Sequence, residues 1–415
     1  MADSTFDGVD LHALAQRVGT PCHVYSATAI RQRIEALTTA LRGLDAQVCY
    51  AVKANSNLAI LQLMADAGFG ADIVSAGEML RAVCAGIPAG RIVFSGVGKS
   101  ADEIAQALDA GIARFNVESA DELQLLQRIA AERGAIAHAA VRINPDVDAG
   151  THAKISTGKS ENKFGVAIDE ARRWFADSAR LSHVRLDGLH VHIGSQMLSL
   201  DPIRAALRRT AQLRQELTAA GHAIRSIDVG GGLGVSYRAG HDTPVAIADY
   251  VDVVRRELDG FDGRILLEPG RWLVAEAGVL LTRVVRIKQG GQRRFLIVDA
   301  AMNDLVRPSL YDAWHDIVPL APDSGASQRY DVVGPVCESS DIFARDRELP
   351  ECKAGDLLMI KATGAYGASM ASNFNSRPLA AEVLVDNGRY AVVRRRQSIH
   401  DMIADERAAQ EWESA

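Results

Sequence analysis

The 415-residue chain has only five cysteines, at positions 22, 49, 84, 337 and 352, and no two of them form a CxxC pair. An odd, scattered set of this kind is not a disulfide framework. It suits a reducing cytoplasm in which one thiol is available for chemistry. No apolar run reaches the length that spans a bilayer. The opening Met1-Ala2-Asp3-Ser4-Thr5 has none of the features of a secretory signal, so a cytoplasmic protein is expected. There is no excess of positive charge: 46 Lys and Arg stand against 52 Asp and Glu, a net charge of −6, with the signs interspersed. Such a surface offers no patch for nucleic acid or an anionic membrane. Internal repeats and low-complexity tracts are absent as well, and Asp405 to Ala415 reads as a fraying end.

What is present is the composition of a soluble globular protein, 48% hydrophobic and 24% charged, in a chain too long for one ordinary core. Apolar, strand-like runs recur at Val48–Val52, Ala71–Val74, Ile92–Phe94, Phe115–Val117, Ala139–Ile143, Leu189–Ile193, Ile227–Val229 and Ile265–Leu267, with helical stretches between them. Ser75 with Glu78, Ser100 with Glu103 and Ser119 with Glu122 have the spacing of capping boxes, and Asp201-Pro202 reads as an N-cap followed by a first-turn proline. Eight alternating strands and helices predict a closed (β/α)8 barrel, with an open doubly wound sheet as the competitor.

Beyond about Val274 the pattern becomes mostly β. Val279–Ile287, Arg294–Val298, Tyr330–Val333, Leu357–Ala362, Ala380–Val385 and Tyr390–Arg395 read as strands, with turns at Gly355-Asp356 and Asn387-Gly388. The expected organisation is an N-terminal segment, 1–27, packing with the β domain. A barrel follows over 28–274, then a sandwich- or barrel-like β domain over 275–415.

In such a barrel, ligands meet the loops that follow the strands. Lys53 ends the first apolar run, where an apolar floor would lower its pKa and suit it to form a Schiff base. Taken alone it is far more often a solvated lysine at a strand end. The seventh run leads into Gly230-Gly231-Gly232 and the eighth into Glu268-Pro269-Gly270-Arg271, a setting for a phosphate although a glycine triplet is often only a tight turn. His190 and His192 alternate onto one face of the sixth run. That spacing could mean a metal, but His138 and His152 fall away from strand ends, so no metal is expected and a histidine stacked on a flat ring is the better use. An anion such as Glu268 inside a phosphate site makes sense beside a cationic heterocycle whose nitrogen it keeps protonated. Lysine, glutamate, glycines and arginine together describe a site for pyridoxal 5'-phosphate.

The motifs Tyr50-Ala51-Val52-Lys53-Ala54-Asn55, His192-Ile193-Gly194-Ser195, Gly230-Gly231-Gly232, Glu268-Pro269-Gly270-Arg271 and Gly334-Pro335-Val336-Cys337-Glu338-Ser339 resemble those of the alanine-racemase-fold pyridoxal enzymes. Within that fold they resemble the basic amino acid decarboxylases. Ile155-Ser156-Thr157-Gly158, Lys163-Phe164-Gly165 and the run Met302 to Tyr311 are similar to the diaminopimelate decarboxylase family. The resemblance implies that Lys53 carries the cofactor and that His192 stacks on its ring. Glu268 would pair the ring nitrogen. Ser195, Gly230, Gly231, Gly232 and Tyr366 would hold the phosphate, with Asp72, Gly270 and Arg271 also at the cofactor. Arg271, Arg307, Tyr311 and Tyr366 would meet substrate, Glu338 would take its distal ammonium, and Cys337 would return a proton after CO2 leaves.

A substrate with a second carboxylate needs a cation, and an arginine fork suits it. A polar group left unpaired in a dry site costs roughly 1–3 kcal/mol, so plain lysine should be a poor ligand. The expected activity is decarboxylation of meso-2,6-diaminoheptanedioate to L-lysine, by a homodimer in which the sites are shared. The alternatives are a decarboxylase for ornithine, arginine or a carboxylated polyamine, or a silent pyridoxal-binding regulator. An alanine racemase fits less well, because Ala54-Asn55-Ser56 follows the lysine where that family has Ala-Tyr-Gly.

Overall fold

The structure, a computed structural model, describes residues 4–148, 163–320 and 326–407. The loop from Lys154 up to Lys163, with Ile155-Ser156-Thr157-Gly158, lies outside the described residues, as does His152. The chain forms two compact units. One comprises Ala27–Ala277 and Gly364–Ser369; the other comprises Met1–Ser26, Gly278–Thr363 and Met370–Ala415.

The first unit is a closed ring of eight parallel strands: Ala46–Ala51, Gly70–Ile73, Ile92–Phe94, Arg114–Val117, Ala137–Asn144, Val184–Val191, Ser226–Asp228 and Arg264–Leu267. The eighth strand pairs with the first, Ile265 opposite Ala46, which closes the barrel and rules out the open sheet. Strands covered by helices outside and packed side chains inside are buried on both faces, which is why they read as continuous apolar runs. Ile92, Val93 and Phe94 are all fully buried.

The helix starts follow the sequence signals with two corrections. Ser100 and Glu103 form the complete reciprocal box. Ser75 and Ser119 each accept the expected N–H, but Glu78 instead accepts from Val74 N and Glu122 from Glu118 N. Asp201 is the first residue of its helix, and the capping position is Leu200, which has no side chain suited to the role. Lys53 is not the last strand residue either. The first strand stops at Ala51, and Lys53 sits in a 3-10 turn, Val52–Ala54.

In the second unit the long strand Gly278–Gly290 is shared between two sheets. Its first half pairs with Cys22–Ser26 and Leu357–Ile360, and its second half pairs with Arg293–Val298. Cys22–Ser26 lies parallel to Ala381–Asp386, so an early strand of the chain joins one of its last. Two apolar clusters fill the unit, one around Leu296, Val298 and Leu358, the other around Val24, Leu281 and Val383. Asn387 and Gly388, both at positive φ, turn Ala381–Asp386 into Arg389–Arg394. Besides the short Thr5–Phe6 and Val9–Asp10, the strands Ile317–Pro319 and Ile342–Pro350 escaped the sequence reading. Ile342–Pro350 carries Arg345-Asp346-Arg347-Glu348 along a partly exposed strand, where polar residues mask the alternation.

The box at Ser100 has a measurable consequence. Ser100→Ala is expected to lower stability by about 1 kcal/mol in chemical denaturation. An unchanged midpoint would show that the cap contributes nothing.

Candidate active site

The polar centre of the first unit collects at the ends of its strands. Ala51 N donates to Pro269 O at 3.1 Å, tying the lysine turn to the loop after the eighth strand. A side chain at Gly270 would press on Ala54 and Ala51, with Cβ atoms 2.9 and 3.0 Å away, so the approach requires glycine. Tyr50 Oη donates to Asn55 O at 3.0 Å, and Asn55 Nδ2 to Gly364 O at 3.0 Å. Tyr366 N donates to Ala54 O at 2.8 Å, and Tyr366 holds φ 57, a conformation uncommon outside glycine. The segment Gly364–Ser369 thus clasps the turn that carries Lys53.

Lys53 is 38% exposed and its amine is ion-paired with Asp72, whose side chain is fully buried. Burial alone would lower the amine's pKa, but the charges of Asp72 and then Glu268 outweigh it and hold the lysine well above its ordinary value. The expected lowering is therefore overturned: a desolvated amine gains more from two nearby carboxylates than it loses to the apolar floor.

Glu268 follows the eighth strand and is 6% exposed. Its Oε1 accepts from Ser95 Oγ at 3.3 Å and Asn116 Nδ2 at 3.2 Å, and its Oε2 lies 3.2 Å from His190 Nε2. Burial opposes its charge, but His190, by charge and hydrogen bond, and then Lys53 overcome this and keep the carboxyl below its usual range.

His190 and His192 part company in the structure. His190 is in the sixth strand and faces Glu268. His192 lies beyond the strand end, and its Nδ1 accepts from Gly231 N at 3.1 Å. Burial, then the Arg142 charge, push His192 down to about 3, so it is a neutral ring.

The glycine run lies between the loops after the sixth and eighth strands. A side chain on Gly231 would strike the Glu268 carbonyl, and one on Gly232 the Gly194 carbonyl. Two of the N–H groups expected to face a phosphate have protein acceptors, Gly230 N on Asp228 Oδ1 at 2.9 Å and Gly231 N on His192. Arg271 sits beside this run: its Nε and Nη2 donate to Ser195 Oγ at 3.2 and 2.9 Å, Nη1 donates to Tyr237 Oη, and the guanidinium lies over the Tyr366 ring at 4.7 Å.

The second unit brings together the other predicted residues. Arg307 and Tyr311 span one short helix, Arg307–Tyr311. The buried Arg307 guanidinium donates to His315 Nε2 at 2.7 Å, and His315 Nδ1 pairs with Lys361 O at 2.7 Å, which fixes the ring's tautomer. Asp341, buried, accepts from Val336 N at 2.8 Å and Met302 N at 2.6 Å, so one carboxylate joins the two sequence motifs. The close fit of its carboxylate against Gly334 leaves no room for a side chain there. Cys337 is exposed, with its N–H on Asn375 Oδ1 at 2.8 Å; Glu338 is also exposed and accepts from Ser340 N at 3.1 Å.

A model of the pyridoxal binding domain of pyridoxal-dependent decarboxylases matches residues 27–275. Curated diaminopimelate decarboxylases of Zymomonas mobilis and Pseudomonas aeruginosa are 48% and 49% identical. The first match covers 98% of this chain and 97% of the relative, the second 96% of each. The chain belongs to the diaminopimelate decarboxylase family. Its fold agrees: a Helicobacter pylori diaminopimelate decarboxylase solved with L-lysine superposes with a TM-score of 0.92 at 45% identity, over 95% of this chain and 98% of that one. The corresponding M. jannaschii enzyme, also solved with L-lysine, gives 0.92 at 37% identity, over 97% and 96%. This member of the family is a decarboxylase whose cofactor is pyridoxal phosphate. The site suits that group: a lysine and a buried anion share one barrel end, with an arginine, a serine and a tyrosine beside them.

Sequence reasoning missed Ser95, Asn116, His190 as a partner of Glu268, Asp228 and Tyr237. Asn116, polar inside Phe115-Asn116-Val117, was a visible signal. Asp228, just ahead of the glycines, was overshadowed by them.

Asp72→Asn should drop the Lys53 pKa in cofactor-free protein. At a fixed pH of about 8.5 an amine-reactive reagent would then label Lys53 faster, about tenfold for each unit of lowering. Equal labelling rates would mean Asp72 does not hold the proton on Lys53.

Proposed function

We propose that this enzyme removes CO2 from the D-centre of meso-2,6-diaminoheptanedioate and yields L-lysine, the last step of lysine biosynthesis. The observation that carries the substrate assignment is Arg307, a buried guanidinium braced by His315, in a stretch whose Met302 N–H shares Asp341 with the segment bearing Cys337 and Glu338. A fixed, desolvated arginine is the group a second carboxylate requires. Relatives named for this reaction are 45–49% identical over nearly the whole chain, which supports the reading.

Bound at the barrel end, pyridoxal phosphate supplies an electron sink for the pair released with CO2. Lys53 would hold the cofactor through its amine, which Asp72 orients. His192, kept neutral, would lie against the ring without adding positive charge. Glu268 would retain the proton on the ring nitrogen. Ser195, Gly230, Gly231, Gly232, Gly270, Arg271 and Tyr366 would receive the phosphate. Arg307 and Tyr311, with Arg271 and Tyr366, orient the substrate carboxylates, and Glu338 takes the distal ammonium. Cys337 would return a proton after CO2 leaves, a transfer that needs hydrogen-bond reach or one intervening water.

CO2 release and chiral analysis of the lysine formed test the reaction directly. Arg307→Ala is expected to reduce kcat/KM for meso-diaminopimelate by an amount equivalent to about 2–5 kcal/mol while the cofactor's visible absorbance is unchanged. Unaltered kinetics would mean that the far carboxylate binds elsewhere.

The working form proposed is a two-fold homodimer in which each site takes Cys337 from the partner chain. Lys53→Ala and Cys337→Ala homodimers would then both be nearly inactive. After random subunit exchange about half of the dimers are mixed, each with one intact site of two, and activity recovers to about a quarter of wild type. Demonstrated exchange with no recovery would show that each site is built within one chain. A cytoplasmic location is supported by the five cysteines, all of them free. No helix among the described residues is long and apolar enough to cross a membrane.

A further inference from the structure

His190 and Asp228 carry none of the roles described so far, yet both are almost completely buried against Glu268. Asp228, the last residue of the seventh strand, is 0% exposed, and His190 is 1% exposed. One nitrogen or oxygen from each of His190, Asp228 and Glu268 lies within 4.8 Å of the others. Asp228 Oδ1 accepts from Gly230 N, while Asp228 Oδ2 and His190 Nδ1 are buried with no partner among the described residues. A metal is a poor occupant. Both Glu268 oxygens and His190 Nε2 are already hydrogen-bonded, which leaves only two ligand atoms.

Two carboxyls this close, away from water, cannot both be ionised at low cost, so the group keeps a proton. The donors decide where it resides. Glu268 receives Ser95, Asn116 and His190, whereas Asp228 receives a single backbone N–H. Charge is therefore favoured on Glu268 and the proton on Asp228. In agreement, burial and then the Glu268 charge push the Asp228 carboxyl up to about 8. Burial alone would lower His190, but the neighbouring acids, Glu268 foremost, more than reverse this.

We propose that His190 and a protonated Asp228 are positioning residues that hold Glu268 ionised, so that Glu268 can keep the cofactor's ring nitrogen protonated. This rests on the cofactor placement given under Proposed function. Glu268 can still accept a hydrogen bond from that nitrogen, since a carboxylate offers about four acceptor positions and three are in use. The charged groups around the trio do not supply the same control. Lys53 is already paired with Asp72, Arg142 with Glu118, and Arg114 with Asp187. His192, Cys49 and Tyr250 also face it, and burial keeps each of them uncharged.

The test is a pH titration of the cofactor's visible absorbance in purified holoenzyme without substrate, alongside the pH profile of kcat. His190→Gln and His190→Leu remove the charge-capable donor and leave Glu268 a buried acid with fewer partners. Its pKa should rise, so the acid limb of both profiles should move toward neutral by about one unit or more. At pH 7, kcat should fall tenfold or more with KM for meso-diaminopimelate changed less than threefold. His190→Gln, which can still donate one hydrogen bond, should fall between wild type and His190→Leu. Asp228→Asn, which matches a neutral acid in shape and keeps an acceptor for Gly230, should leave the limb in place and kcat within about twofold. Profiles of both His190 variants that overlay the wild type would overturn the proposal. So would a tenfold loss in Asp228→Asn, since Asp228 would then act as an anion. Glu268→Gln separates the two readings. A shifted spectrum there with silent His190 variants sinks only this proposal, while an unshifted spectrum in Glu268→Gln removes the cofactor placement as well.

Discussion

A carboxylate buried at the end of a closed ring of strands has to be surrounded by donors, and that need organises the polar centre of the barrel. Glu268 draws Ser95 from the loop after the third strand, Asn116 from the fourth and His190 from the sixth. No two of these are neighbours in sequence. Only strands that curve round to meet, the eighth hydrogen-bonded to the first, bring them to one point. An isolated ion moved into such surroundings would neutralise itself. Glu268 stays charged because its partners are fixed before any ligand arrives.

The same balance of charge governs Lys53. Its amine faces a carboxylate from the neighbouring strand, and this keeps it a cation in the protein on its own. A cationic amine is not a nucleophile, so Asp72 acts first as a holder, and the proton has to leave when the cofactor is attached. The clasp from Gly364–Ser369 fixes the backbone of that turn. It does so with one unusual backbone conformation, at Tyr366.

In the β unit the organising group is Asp341. Buried and accepting from two chain segments, it holds the stretch starting at Met302 against the stretch starting at Gly334. Arg307 is braced separately by His315, whose other nitrogen is engaged by a backbone carbonyl. Such bracing limits the rotamers of a long side chain, so less entropy is lost when it receives a ligand.

The barrel was legible in the chain because a strand buried on both faces can only be a continuous apolar run, and the intervening helices announce themselves by Ser75, Ser100 and Ser119. Lys53, Arg271, Glu268 and the glycine run were legible for a similar reason: each follows an apolar run directly, and loops after strands share one end of a barrel. Other features were not local properties. The direction of the Lys53 shift depended on Asp72, nineteen positions away in sequence and in contact in space. The separate fates of His190 and His192 depended on where one strand stopped. The strand Ile342–Pro350 was hidden because its exposed face carries charges that break the alternation. Sequence by itself determined which side chains lie at the ends of which strands, since that follows from period and burial. Tertiary structure alone decided which of those side chains share a proton or a charge, because that energy depends on distances of a few ångströms between residues up to 173 positions apart.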